Sequence, residues 1–263
     1  MDATVIDLCL AMFEWAEFRR AKGAVKLHVG LDHDGYLPTF IGITNGKVHE
    51  INWARKVTLP PGSISVFDLG YLDYGYWYSI EQRHSFFVSR SKTNTAFEII
   101  WERPITAKEQ AKGLIADQTI RLTSQKGKLY QKSLRRVVYY DHKTEKTYVF
   151  LTNIIHLAAL TIAAIYKERW QIELFFKWIK QNLRIKNFYG TSRNAVLTQI
   201  WIALCVYLIL ATMKFKSQAA ASLQTIVRLL HVNLMEKTDL ISILTGSSPP
   251  SQVSSPSPQL SLF

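Results

Sequence analysis

Between residues 166 and 184 the chain sets Tyr166, Arg169, Glu173, Lys177, Lys180 and Arg184 at intervals of three or four. On a helix turning about 100° per residue, all six fall within an arc of about 80°. Ile165, Ile172, Phe175, Trp178 and Ile179 take the other faces. One carboxylate therefore stands among four cations. A solvated stripe of ion pairs, Arg169 with Glu173 and Glu173 with Lys177, each worth about 0.3–0.5 kcal/mol, is the plainer account. It leaves the surplus of positive charge unexplained, and that surplus suits a phosphate backbone. A metal-binding Glu flanked by phosphate clamps is the alternative.

A divalent cation that handles phosphate takes two or more carboxylates together with water and substrate oxygens. Asp68 is one candidate partner, because it closes the apolar run Ile64-Ser65-Val66-Phe67, and ligands bind outside the carboxyl ends of strands in open sheets. Its plainer role is a turn residue before Gly70. Asp2 precedes the strand-like Thr4-Val5-Ile6 and is the second candidate; its plainer role is a frayed terminus.

The elements that must position these groups change character along the chain. Val25 to Leu31 and Leu37 to Thr44 are β-branched runs joined by Asp32-His33-Asp34-Gly35, which predicts a hairpin. Ile64 to Phe67 predicts a strand, Leu72 to Gln82 a helix and Phe86 to Ser89 a further strand. From Phe97 to Leu151 four short strands are expected, around Glu98–Trp101, Gln118–Leu122, Arg136–Tyr140 and Thr147–Leu151. Leu157 to Leu183 and Ala195 to Met213 have helical length without proline. The run beyond Gly246 is rich in Ser and Pro and predicts a disordered tail.

With 263 residues, 48% of them hydrophobic, the chain can bury roughly three quarters of its unfolded surface. Thirty-two Lys and Arg against 20 Asp and Glu leave a net charge of +12, so a polyanionic partner is expected. Cys9 and Cys205 sit in apolar sequence surroundings, far apart, and support neither a disulfide framework nor a four-ligand zinc site. No charged-then-apolar leader is seen, and a reducing, cytoplasmic location is expected. Ile200 to Met213 lacks charge but is shorter than the about 20 residues of a membrane span, so a buried helix and no membrane role are expected.

These residues resemble a known family, the bacterial insertion-sequence transposases of the Asp-Asp-Glu type, in the branch named after insertion sequence four. Its mark is Tyr, two residues, Arg, three residues, Glu, six residues, Lys, which Tyr166, Arg169, Glu173 and Lys180 match without a gap. The block from Arg169 to Leu183, Phe188-Tyr189-Gly190-Thr191-Ser192, Asp2-Ala3-Thr4-Val5-Ile6 and Val66-Phe67-Asp68 with Gly70 and Tyr71 are similar as well. The resemblance implies an α/β, ribonuclease-H-like mixed sheet with flanking helices, interrupted by a β-rich insertion and followed by carboxy-terminal helices. The expected divisions are a first part of the core at 1–95, the insertion at 96–152, a helical remainder at 153–245 and the tail at 246–263.

The resemblance further implies that Asp2, Asp68 and Glu173 are catalytic and hold two Mg²⁺ ions, with Mn²⁺ able to substitute. Tyr166, Arg169, Lys177 and Lys180 would grip DNA. In the family's cut-and-paste members the DNA end forms a hairpin and a flipped base stacks on an aromatic from the insertion's last strand. Tyr148 is the candidate for that position, against the plainer role of a half-buried strand tyrosine. The implied partners are double-stranded DNA at terminal inverted repeats, target DNA and a second copy of the chain, near the nucleoid. Relative to the family, the chain is expected to enter inside the first strand without the family's amino-terminal DNA-binding region, through either a misassigned start or a true truncation. An inactive, DNA-binding or dimer-forming remnant is therefore the alternative to an active enzyme.

Overall fold

The computed structural model describes residues 1–19, 22–182, 187–218 and 221–233. Arg184 and the expected tail lie outside the described residues. Two compact units are present, Met1–Gln199 and Ile200–Phe263.

The first unit opens on β1 (Asp2–Leu8), β2 (Glu17–Arg19), β3 (Lys22–Leu31) and β4 (Pro38–Asn45), an antiparallel sheet in which β3 pairs with the other three. Gly23 to Gly30 are buried at every position, so β3 reads as a nearly continuous apolar run. Two polar residues break that run, and each is accommodated. Lys26 Nζ donates to Glu50 Oε1 and to the Val48 carbonyl, both at 2.8 Å. The His28 ring stacks on Trp53 at a centroid distance of 4.8 Å, with Trp53 supplied by the short helix α1 (Glu50–Ala54).

Next come β5 (Ile64–Phe67), α2 (Tyr74–Gln82), β6 (Phe86–Arg90), β7 (Phe97–Glu102), α3 (Ala107–Ala111), β8 (Leu114–Leu122), β9 (Leu134–Asp141) and β10 (Lys146–Thr152). They build one six-stranded mixed sheet in the order β5-β6-β10-β9-β8-β7, parallel only between β5 and β6. Strands 97–152 thus extend the sheet that carries Asp68. Successive side chains face opposite sides of a strand, and both faces are covered. Phe87 and Leu151 join Trp77 of α2 in one core, whereas Val88 and Phe150 join Ile162 and Tyr166 in the other. The latter two belong to α4 (Ala159–Lys167).

Where one long helix is expected from residue 157 to 183, the chain forms α4 and then α5 (Trp170–Asn182). At the joint the Arg169 N–H donates to Tyr166 O at 3.1 Å, Gln171 N–H to Glu168 O at 3.0 Å and Ile172 N–H to Arg169 O at 3.2 Å. Such bonds reach three residues back instead of four and tighten the turn. Tyr166 and Glu173 therefore do not share one continuous helix, and the arc drawn for all six residues does not hold across the joint. The short α3 was also absent from the sequence-based pattern, although Thr106 and Glu109 cap it reciprocally.

From α6 (Arg193–Ser217) the second unit takes the part beyond Gln199, and it also contains α7 (Leu223–Asn233). The expected burial of the apolar stretch is only partly met. Ala203, Leu204, Tyr207 and Leu210 are buried, while Trp201, Ile202, Val206 and Ile209 are exposed. Among the described residues α6 is long and apolar enough to cross a membrane, and 33% of its most apolar window is buried. Cys9 and Cys205 are both exposed, contrary to the apolar setting their neighbours suggested.

Trp77 is fully buried and stacks on Phe87 at 4.7 Å. Trp77→Ala should destabilise the chain by about 3–5 kcal/mol, read as a lowered urea midpoint.

Candidate functional site

Asp2 is not frayed. It pairs with Val29 in the β1–β3 ladder, and the Met1 amino group donates to the Val66 carbonyl of β5 at 3.0 Å. That bond ties the start of β1 to the strand ending at Asp68. The Asp2 carboxylate accepts the Ala3 N–H at 2.8 Å and pairs with Arg169 Nη1 at 3.0 Å. Asp68 does fill the turn role, accepting the Gly70 N–H at 2.9 Å. Its charge still acts on Asp2. Burial first and Asp68 second push the Asp2 carboxyl up to about 6, against the pull of the Ala3 N–H, Arg169 and the amino terminus.

Glu173 lies in the first turn of α5 and pairs with Arg169 Nη2. One guanidinium thus joins Asp2 to Glu173. Arg169 is 17% exposed, sits 5.8 Å from the Tyr166 ring centroid, and has a buried Nε with no hydrogen-bond partner among the described residues. It also borders a cavity of about 580 Å³ lined by Gly30, Tyr36, Phe40, Ser65 and Glu168. Tyr36, unremarked in the sequence, donates to Glu168 Oε2 at 2.7 Å and secures the α4–α5 joint.

The other expected DNA contacts differ in setting. Lys177 is exposed. Lys180 is turned onto β1, donating to Thr4 Oγ1 at 2.6 Å and Val5 O at 2.9 Å. Tyr166 is buried against Phe150 at 4.8 Å. Tyr148 is half-buried beside Phe150, with the Arg90 guanidinium 5.3 Å from its ring centroid. Arg90 has no sequence signal of its own, since it ends β6 and meets Tyr148 only through the β6–β10 pairing.

Among the described residues no three His, Cys, Asp or Glu side chains group closely enough to hold a metal. The donor set nonetheless suits a hard cation, being carboxylate oxygen throughout. The fully buried Tyr71 hydroxyl, which feels the charges of Asp2 and Asp68, has no hydrogen-bond partner among the described residues. Asp2, Asp68 and Glu173 would be the residues to hold such an ion, although as described they do not close into such a group.

The family model described as a transposase DDE domain matches residues 1–209. A Sinorhizobium fredii protein named as transposase y4zB is 36% identical over 80% of this chain and 59% of its own length. A Geobacillus stearothermophilus protein, named as a transposase for insertion sequence element IS5377, is 27% identical over 80% of this chain and 55% of its own. A Synechocystis protein named for element IS4SA is 23% identical over 92% of this chain and 67% of its own. The chain belongs to the transposase DDE domain family, and its α/β architecture, a mixed sheet with helices, is consistent with a ribonuclease-H-like core. Domains of this family generally use divalent metal ions. The chain spans just under three fifths of the length of the first two relatives.

Two partly buried groups at the site respond oppositely to pH. Asp2, raised from 3.8 to about 6, contributes stability below pH 4 that is lost as the pH climbs through 6. The Met1 amino group, lowered chiefly by burial from 8.0 to about 6, contributes stability above pH 8 that is lost as the pH falls through 6. Burial chiefly lowers the His28 imidazole from 6.5 to about 4, so His28 opposes Asp2 over the same range. Urea denaturation in EDTA should show Asp2→Asn gaining stability relative to wild type as the pH rises from 4 to 6.

Proposed function

We propose that this chain is the catalytic domain of a bacterial insertion-sequence transposase. It would cut DNA at terminal inverted repeats and join the ends to target DNA by phosphoryl transfer. Asp2, Asp68 and Glu173 would hold two Mg²⁺ ions, with Mn²⁺ able to substitute. Such ions activate a water or a 3′-hydroxyl and stabilise the leaving oxygen. The observation that carries this is the meeting of Asp2 and Glu173 on one guanidinium, with the charge of Asp68 acting on Asp2, although the three lie far apart in the sequence.

The chain's own residues would bind and orient the DNA. Lys177 offers an exposed ammonium beside Glu173. Arg169 has the planar fork that fits a phosphate, and Tyr166 supports it from below. Lys180 holds α5 to β1 and adds positive charge to the same face. Tyr148, flanked by Arg90, is the proposed platform for an unstacked base. The proposed divisions are a core at 1–95 and 153–245, an insertion at 96–152 and a tail at 246–263, working as a homodimer on DNA in the cytoplasm.

The test is end cleavage and strand transfer on DNA bearing the element's terminal repeats. Loss of a metal ligand removes several kcal/mol of transition-state stabilisation, so Glu173→Ala or Asp68→Ala should lower the rate at least about a hundredfold. Salt-sensitive DNA binding with no metal-dependent cleavage would favour the inactive, DNA-binding alternative.

The two lysines should separate. Lys177→Ala should lower the slope of log affinity against log salt by about one and leave stability unchanged. Lys180→Ala should also cost about 1–3 kcal/mol of stability, because its loss orphans the acceptors on Thr4 and Val5. Binding titrations across salt concentrations and urea denaturation of both variants check this.

A further inference from the structure

Two arginines of the same unit are satisfied very differently. Arg135 uses its whole fork: Nε and Nη2 donate to Asp117, and Nη1 to the carbonyls of Ile154 and Leu157. Arg169 gives Nη1 to Asp2 and Nη2 to Glu173, while its Nε is buried without a partner among the described residues. A guanidinium kept only for architecture would be expected to resemble Arg135, since an unmet buried donor costs about 1–3 kcal/mol. Arg169 also sits at the tightened α4–α5 joint, on the wall of a cavity of about 580 Å³. It therefore has space beside it that a close-packed core arginine lacks.

The two carboxylates it bridges are candidate metal ligands, and with Arg169 between them no three acidic groups among the described residues close on a common point. We infer that Arg169 is a place-holding cation: it bridges Asp2 and Glu173 until a divalent ion takes both, and it is then released toward the DNA phosphates. This rests on the proposed function and adds an order of events to it. Metal and guanidinium compete for the same oxygens, so Arg169 weakens metal binding in the absence of DNA. Phosphate draws the guanidinium away and strengthens metal binding, and by linkage the metal strengthens DNA binding by the same factor.

The experiment is a Mn²⁺ titration of the DNA-free chain, read by the electron paramagnetic resonance signal of free Mn²⁺. It compares wild type, Arg169→Gln, Arg169→Lys and Glu173→Gln, each checked for folding by circular dichroism. Arg169→Gln should bind Mn²⁺ about tenfold more tightly than wild type. Arg169→Lys, which keeps the charge without the two-pronged reach, should gain less and serves if the glutamine variant does not fold. Equal or weaker binding by the folded Arg169 variants, with wild type binding Mn²⁺ and Glu173→Gln impaired, overturns the place-holder and leaves the metal site standing. Absence of Mn²⁺ binding in wild type and the Arg169 variants alike overturns both.

Discussion

A single guanidinium holds together the start of the first strand and the helix that follows the sheet. Arg169 can do so because its two terminal nitrogens diverge in one plane, which lets it address two carboxylates from different elements simultaneously. Much of the surrounding construction serves that geometry. Tyr36 secures Glu168 next to it, Tyr166 lies under it, and Lys180 fastens the far end of α5 to β1. The amino group of Met1 pins the start of β1 to β5. Removing the Arg169 charge would push the Asp2 carboxyl higher still, because burial and Asp68 already oppose its ionisation.

The elements and charges around the candidate site were legible in the sequence to the extent that they depended on residue type and local spacing. Asp68 at the end of an apolar strand, Glu173 among cations and the run of strands from Phe97 to Leu151 were all visible in this way. What escaped was set by hydrogen bonds between distant elements or by local backbone choice. The joint at Glu168 and Arg169 has no proline or glycine to announce it; it depends on a tyrosine 132 positions away. Lys180 looked like part of a phosphate-binding stripe, but its ammonium finds two oxygens on β1, because α5 packs beside the sheet at a distance no periodicity encodes. The exposed apolar side of α6 was hidden by hydropathy averaging, which cannot tell which side of a uniformly apolar helix is covered.

Charge is distributed unevenly around this frame. Asp2 and Glu173 share one guanidinium, that of Arg169, whereas Lys177 is exposed. The cluster around Asp117 is self-contained by contrast, with Arg103 and Arg135 closing on one buried carboxylate. It locks β8 to β9 and to the segment after β10. An excess of +12 over the whole chain therefore does not translate into uniform attraction.

Because β10 lies beside β6, and β6 beside β5, the sheet acts as a ruler between Tyr148 and Asp68. Phe150 is level with Arg90, and Ser89 with Phe67. Two interstrand steps of about 4.8 Å across and two residues of about 3.3 Å along separate the backbones of Asp68 and Tyr148 by about 12 Å. That span is fixed by hydrogen-bonded rungs and not by a flexible tether. Inserting or deleting one residue in β10 would do more than alter its length: it would turn the tyrosine ring through to the opposite side of the sheet, away from Phe150 and Tyr166.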